Sequence, residues 1–135
     1  MKSNEKDPLA ELFTDDVKSM DRQAVANFLK PYVVLDRTSN QIRFLPAFEK
    51  VGGNIEKLEI ALMASKALSL LVDGHKDGLT QVQITGMGIM PEGSVKGTLK
   101  KLFDSKQIKK NTGDASYYIP NYRINELVGK YNNKK

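Results

Sequence analysis

Lys96, Lys100 and Lys101 fall at i, i+4 and i+5 within MPEGSVKGTLKKLFDSKQIKK, the stretch from Met90 to Lys110. At the helical period they share a side of the helix away from Val95, Leu99 and Leu102, in a helix whose apolar stripe is read as Val95, Leu99, Leu102 and Phe103. Each ammonium is a compact charge with three donors, so the chemistry on offer is contact with phosphate. Lys109, Lys110 and Asn111 follow, and Arg123 stands further along. Gly97 interrupts this helix in mid-pattern, where glycine costs about 1 kcal/mol relative to alanine. It lies on the far side of the stripe, between Lys96 and Lys100 in sequence. A missing side chain there lets a phosphate or base edge come close while the lysines reach past it. Gly93, at the start of the helix, frees amides that favour anions.

Other chemistry finds little support. His75 is the sole histidine, flanked by Asp73 and Asp77 in an apparent loop, and no further ligand types cluster with it. Cysteine is absent, which removes thiolate nucleophiles, disulfides and cysteine metal sites together. No nucleophile motif, phosphate loop or recognisable pair of carboxylates is present. The expectation is a protein that is not an enzyme and uses no cofactor or metal. Tyr117, Tyr118 and Tyr122 interleave with charges, a pattern that suits base stacking in a single-strand binder but more often packs a small hairpin onto its helices.

Helices and hairpins must position these groups. MDRQAVANFLK predicts a helix capped by Asp21 and ended by Pro31, after a helical turn at PLAELF. YVVLD and QIRFL, separated by RTSN, predict a hairpin with a four-residue loop. A short turn at PAFEKVGGN then leads to the Gly52-Gly53 pair, read as a joint, with Asn54 as the next cap. IEKLEIALMASKALSLLVD carries so broad an apolar stripe that it should be covered on two sides, or on one side and by a dimer partner. Glu56, Glu59, Lys66, Ser69 and Asp73 are left as its polar strip. Thr80 and Gln83 form a capping box for a short helix that Gly86 and Gly88 end. After the lysine-bearing helix, QIKKNTGDASYYIP predicts two short strands around a turn, and NYRINELVGKY a terminal helix.

The charge is unevenly placed. Residues 1–73 carry 10 Lys/Arg against 11 Asp/Glu, whereas residues 74–135 carry 11 against 5. The second half therefore presents a positive field to a polyanion. The first residues are polar and no stretch reaches the ~20 apolar residues of a membrane span. A cytoplasmic protein without membrane contact is expected.

The order from Ile55 onward, long helix, short helix, glycine turn, lysine-bearing helix and hairpin, resembles a winged helix-turn-helix. GI at 88–89 followed by SVKGTLKKLFDSKQI at 94–108 is similar to the turn and recognition helix of winged-helix regulators. The resemblance covers roughly residues 55–122. It implies that Val95, Leu99 and Leu102 face the core, that Ile108 begins the first wing strand, and that Ser94, Lys96, Gly97, Lys100 and Lys101 face DNA. Lys109, Lys110 and Asn111 would stand at the base and tip of the wing, with Arg123 just beyond. The expected fold class is α+β, mainly helical. A helix and β-hairpin unit at residues 1–53, for dimerisation or partner contact, precedes a winged-helix domain at 54–131 and a polar tail at 132–135. The function so implied is double-stranded DNA binding by a transcriptional regulator, with homodimerisation through the N-terminal unit or the 55–72 helix. The alternatives are a winged-helix module for protein–protein interaction and, behind it, an RNA or single-strand binder.

Overall fold

The computed structural model describes Leu9 and residues 22–132. Its elements are α1 (Arg22–Leu29), β1 (Val33–Asp36), β2 (Gln41–Phe44), α2 (Pro46–Glu49), α3 (Asn54–Leu71), α4 (Gln81–Met87), α5 (Glu92–Asp104), β3 (Lys109–Lys110), β4 (Tyr117–Tyr118) and α6 (Ile124–Asn132). A 3₁₀ turn at Asn121–Arg123 leads into α6. The class is α+β and mainly helical. The helical turn expected at PLAELF, apart from Leu9, the Asp21 cap and the tail beyond Asn132 lie outside the described residues.

Proline 31 cannot continue a helix, and α1 closes with the Lys30 amide donating to the Ala26 carbonyl. The hairpin that follows pairs Val33 with Phe44 and Asp36 with Gln41, so its loop is Arg37 to Asn40 as the sequence predicts. Asp36 sets that turn by accepting from the Thr38 and Ser39 amides at 2.9 and 3.2 Å. Asn40 takes the left-handed conformation, which asparagine tolerates.

The broad apolar stripe of α3 has the two coverings it requires. Leu58 and Ile60 through Ala64 are fully buried, with α1 and β1 against one side of the helix and α5 and β4 against another. Residues before and after Gly52-Gly53 share one core, which runs from Val25 and Phe28 to Leu127 and Val128. Phe28 meets Tyr131 edge-to-face at 4.8 Å between centroids. Two details differ from expectation. Gly53, not Asn54, is the N-cap of α3. The polar strip is not wholly solvated either, since Glu59 and Lys66 are each only 2 % exposed.

Glu59 and Lys66 are each paired with an oppositely charged group, as burial of an ion demands. Glu59 accepts from Tyr131 Oη at 2.9 Å and from Lys130 Nζ at 3.3 Å, which ties α3 to α6. Burial first, and then the Glu59 carboxylate, push the Tyr131 hydroxyl well above the ordinary tyrosine range. Lys66 donates to Asp77 and to Asn121, joining α3 to the loop behind it and to the 3₁₀ turn. Burial raises the Asp77 carboxyl while the Lys66 ammonium opposes the shift.

The loop between α3 and α4 makes the tightest passage. Gly78 has φ of +134°, and a Cβ there would stand 3.0 Å from Ser116 Oγ and 3.1 Å from the Tyr117 carbonyl oxygen. Only glycine fits such a backbone at such a distance. Ser65 Oγ holds the same residue by accepting from its amide at 3.1 Å.

Candidate nucleic-acid interface

A reciprocal capping box starts α4. The Thr80 side chain accepts from the Gln83 amide, and the Gln83 side chain accepts from the Thr80 amide. Gly86 stays inside the helix; Gly88, in the left-handed conformation at φ of 67°, ends it. The turn to α5 is therefore Gly88 to Pro91, and buried Ile89 and Met90 fix it to the core.

On α5, Val95, Thr98, Leu99 and Leu102 face inward. Gly93, Lys96, Gly97, Lys100, Lys101, Phe103 and Asp104 are exposed. Phe103 is thus outside the stripe to which the sequence assigned it: it is 44 % exposed and meets Tyr117 edge-on at 6.2 Å. Beyond α5, Lys106 adopts φ of 64° and turns the chain toward the second hairpin. Buried Ile108 directly precedes β3 rather than opening it.

That hairpin pairs Lys109 with Tyr118 and Lys110 with Tyr117. Leu79, just before α4, adds a bridge on its other side by exchanging two hydrogen bonds with Tyr117 at 2.8 and 2.9 Å. The local order is helix, bridging residue, two helices and hairpin. Lys110 Nζ lies 5.4 Å from the Tyr117 ring centroid and Lys109 Nζ 5.4 Å from that of Tyr122. Tyr117 and Tyr118 are half-buried against the helices, while Tyr122 is 60 % exposed.

The expected contact residues therefore fall into separate groups. Lys96 and Lys100 lie on the flank of α5 that continues through Phe103 to Tyr117 and Lys110 of the hairpin. Ser94, Gly97 and Lys101 border a cleft of about 480 Å³ whose opposite wall is Gly53 to Glu56 at the start of α3. The Glu56 carboxylate folds back over Gly53, so negative charge already stands at that helix N-terminus.

Asn111 is not a free donor at the tip. Its side chain donates to Ser116 Oγ at 2.8 Å, and its backbone amide to the Ser116 carbonyl, which closes the hairpin loop. Arg123 is also withdrawn from the surface. It is 6 % exposed and donates to Gln107 Oε1, so its guanidinium is a core group.

Comparison with protein-family models, with characterised proteins and with solved structures finds no match. The chemistry of the face therefore rests on its own residues. Two of these escaped the sequence reading. Asp104 sits among the outward residues of α5 and pairs with Lys100 at 2.9 Å, a contact that raises the lysine pKa. Its i,i+4 spacing from Lys100 was a legible signal. Asp114, in the hairpin loop, pairs with Lys76 at 2.6 Å. That hydrogen bond, with help from Ser116, lowers the Asp114 pKa to about 2. Among the described residues, no group of three or more His, Asp or Glu side chains is placed to hold a metal, and His75 is a half-buried loop residue. No described helix is long and apolar enough to cross a membrane.

Proposed function

We propose that this chain binds double-stranded DNA as a winged helix-turn-helix protein of the cytoplasm, in the manner of a transcriptional regulator. In this reading α5 enters the major groove and the β3–β4 hairpin rests on the adjacent backbone. The observation that carries the reading is the basic flank shared by two elements: Lys96 and Lys100 on α5 continue, by way of Phe103 and Tyr117, to Lys110 on the hairpin. The order of helix, bridging residue, two helices and hairpin supports it as well. Lysines at these positions neutralise phosphates; without Arg, Asn or Gln on the exposed face of α5, base discrimination is modest.

Fluorescence anisotropy of a labelled random-sequence duplex at several salt concentrations tests this. If about four to six phosphates are engaged, log affinity falls against log salt with a slope of about −4 to −5. Replacing Lys96 and Lys100 together with Glu should abolish retention of the duplex at moderate salt. An affinity that hardly changes with salt, or that survives the double replacement, refutes the proposal. Survival of a protein partner's capture in that variant would favour the interaction-module reading.

A further inference from the structure

A cleft of about 510 Å³ lies where β2 and α2 meet the turn between α4 and α5. From the hairpin side come Phe44 and Phe48, whose rings pack at 4.3 Å between centroids, and from the turn come Met87, Gly88 and Ile89. Phe48 and Ile89 are buried and fixed by the core. Phe44 and Met87 are half-buried and leave apolar surface toward the cleft.

Two opposite charges border the same space. Glu49 is the last residue of α2 and Lys57 belongs to α3, and both line the cleft. The Lys57 ammonium is held over the Phe48 ring, 5.8 Å from its centroid. Neither it nor the Glu49 carboxylate forms an ion pair with any described residue. Elsewhere opposite charges that share a surface close on one another, as at Lys76–Asp114 and Lys100–Asp104, at 2.6 and 2.9 Å. At this cleft one anion and one cation stand unpaired beside an aromatic surface.

We propose that the cleft binds a small zwitterion with an apolar body, a free amino acid or a dipeptide, its carboxylate on Lys57 and its ammonium on Glu49. The volume falls within the range of about 300–1,000 Å³ over which clefts enclose small molecules, and the composition is that of such sites, apolar walls with a few polar groups that set orientation. A ligand with a carboxylate alone gains Lys57 but is repelled by Glu49, and one with an ammonium alone meets the reverse. Only a ligand carrying both signs satisfies both groups, and Phe44, Phe48 and Met87 then receive its apolar side chain. The site draws on both sides of the Gly52-Gly53 joint, which gives the first hairpin a function apart from the lysine flank. Gly88 and Ile89 also lead into α5, so a bound ligand touches the turn that orients the lysine-bearing helix.

An NMR titration of the isotope-labelled full chain, without DNA, tests this. L-phenylalanine and L-phenylalanyl-L-leucine separate an amino acid from a dipeptide, while hydrocinnamate and phenethylamine each lack one of the two charges. At least one zwitterion should saturate with a Kd of about 1 mM or tighter, in keeping with about a dozen or more heavy atoms, and should shift the amide signals of Glu49, Lys57 and Gly88 most. Each single-charge analogue should bind about tenfold more weakly or worse. Lys57→Gln should weaken the zwitterion by about the same factor and bring phenethylamine level with it, and Glu49→Gln should do so for hydrocinnamate. No saturation by either zwitterion, shifts centred elsewhere, or analogues that bind as well as the zwitterions would overturn the inference. The analogue comparison is made on the wild-type chain, so it decides the matter even where a variant is unstable. None of these readouts depends on DNA binding.

Discussion

Replacement of Gly97 separates the needs of the fold from those of the proposed contact face. The residue is in the interior of α5, its φ is not in the left-handed region, and a Cβ there would meet nothing within 4 Å. Close helix packing is thus not the reason for the glycine. Gly97→Ala should recover the helix propensity that glycine forfeits, about 0.5–1 kcal/mol. With an unfolding entropy of about 2.1 cal/mol/K per residue, a chain of 135 residues should melt about 2–4 °C higher. Gly97→Leu should melt no lower than wild type, because a Cβ there meets nothing within 4 Å and the cleft beside it, of about 480 Å³, has room for the rest of the side chain. On the reading that the bound duplex also covers the cleft edge of α5, where Gly97 and Lys101 lie, the variant's affinity should fall at least about tenfold, equivalent to about 1.4 kcal/mol. Thermal unfolding by circular dichroism and anisotropy on one duplex read the two effects separately. Gly78→Ala is the contrast. At φ of +134°, with Ser116 and Tyr117 within 3.3 Å of the new Cβ, it should cost about 1–3 kcal/mol. A lower melting temperature for Gly97→Ala would refute the open-face geometry. A stable Gly97→Leu that binds DNA as well as wild type would remove Gly97 from the interface, whatever else binds.

Asp104→Asn should raise duplex affinity about threefold in the anisotropy assay, since it removes a negative charge from the outer face of α5 and releases Lys100. Stability should stay within about 0.5 kcal/mol, because the pair is exposed and an acid in the last helical turn opposes the macrodipole. Arg123→Ala should cost about 2 kcal/mol or more in urea unfolding, having lost a buried stem and the bond to Gln107, and should leave the salt slope of binding unchanged. Asp114 should titrate at about pH 2 when its carboxyl carbon is followed by NMR. Its folded pKa is depressed, so its contribution is complete above the ordinary value of 3.8 and is lost as pH falls through about 2. Lys76→Ala should return the midpoint toward the ordinary carboxylate range, and a wild-type midpoint near 4 would refute the pairing.

Periodicity and cap chemistry made most of the elements legible. The Thr80–Gln83 box, the Arg37 to Asn40 loop and the inward stripe of Val95, Leu99 and Leu102 on α5 could all be read because each is encoded within a few adjacent residues. What escaped was nonlocal. Gly97 drew attention by breaking a visible pattern, whereas Gly78, the glycine that sterics require, looked like an ordinary loop residue. Its need arises from Ser65, Ser116 and Tyr117, all distant in sequence. The same holds for the candidate face. Arg123 stood beside the wing in sequence, yet its side chain turns to Gln107 in the core. Glu59 and Lys66 looked like solvated helix residues because their partners Tyr131 and Asp77 belong to segments that no helical period connects to them. Phe103 sat at the edge of an apolar stripe, where one residue's rotation separates core from surface.

The link between α3 and α6 also bears on the order in which the protein can assemble. Synthesis delivers Glu59 long before Lys130 and Tyr131, the two groups that satisfy its buried carboxylate. Until they arrive, α3 carries a charge that resists enclosure, and Phe28 lacks the ring that seals it. A fragment ending before α6 would have to bury Glu59 without Lys130 and Tyr131, and should therefore be less stable than the full chain.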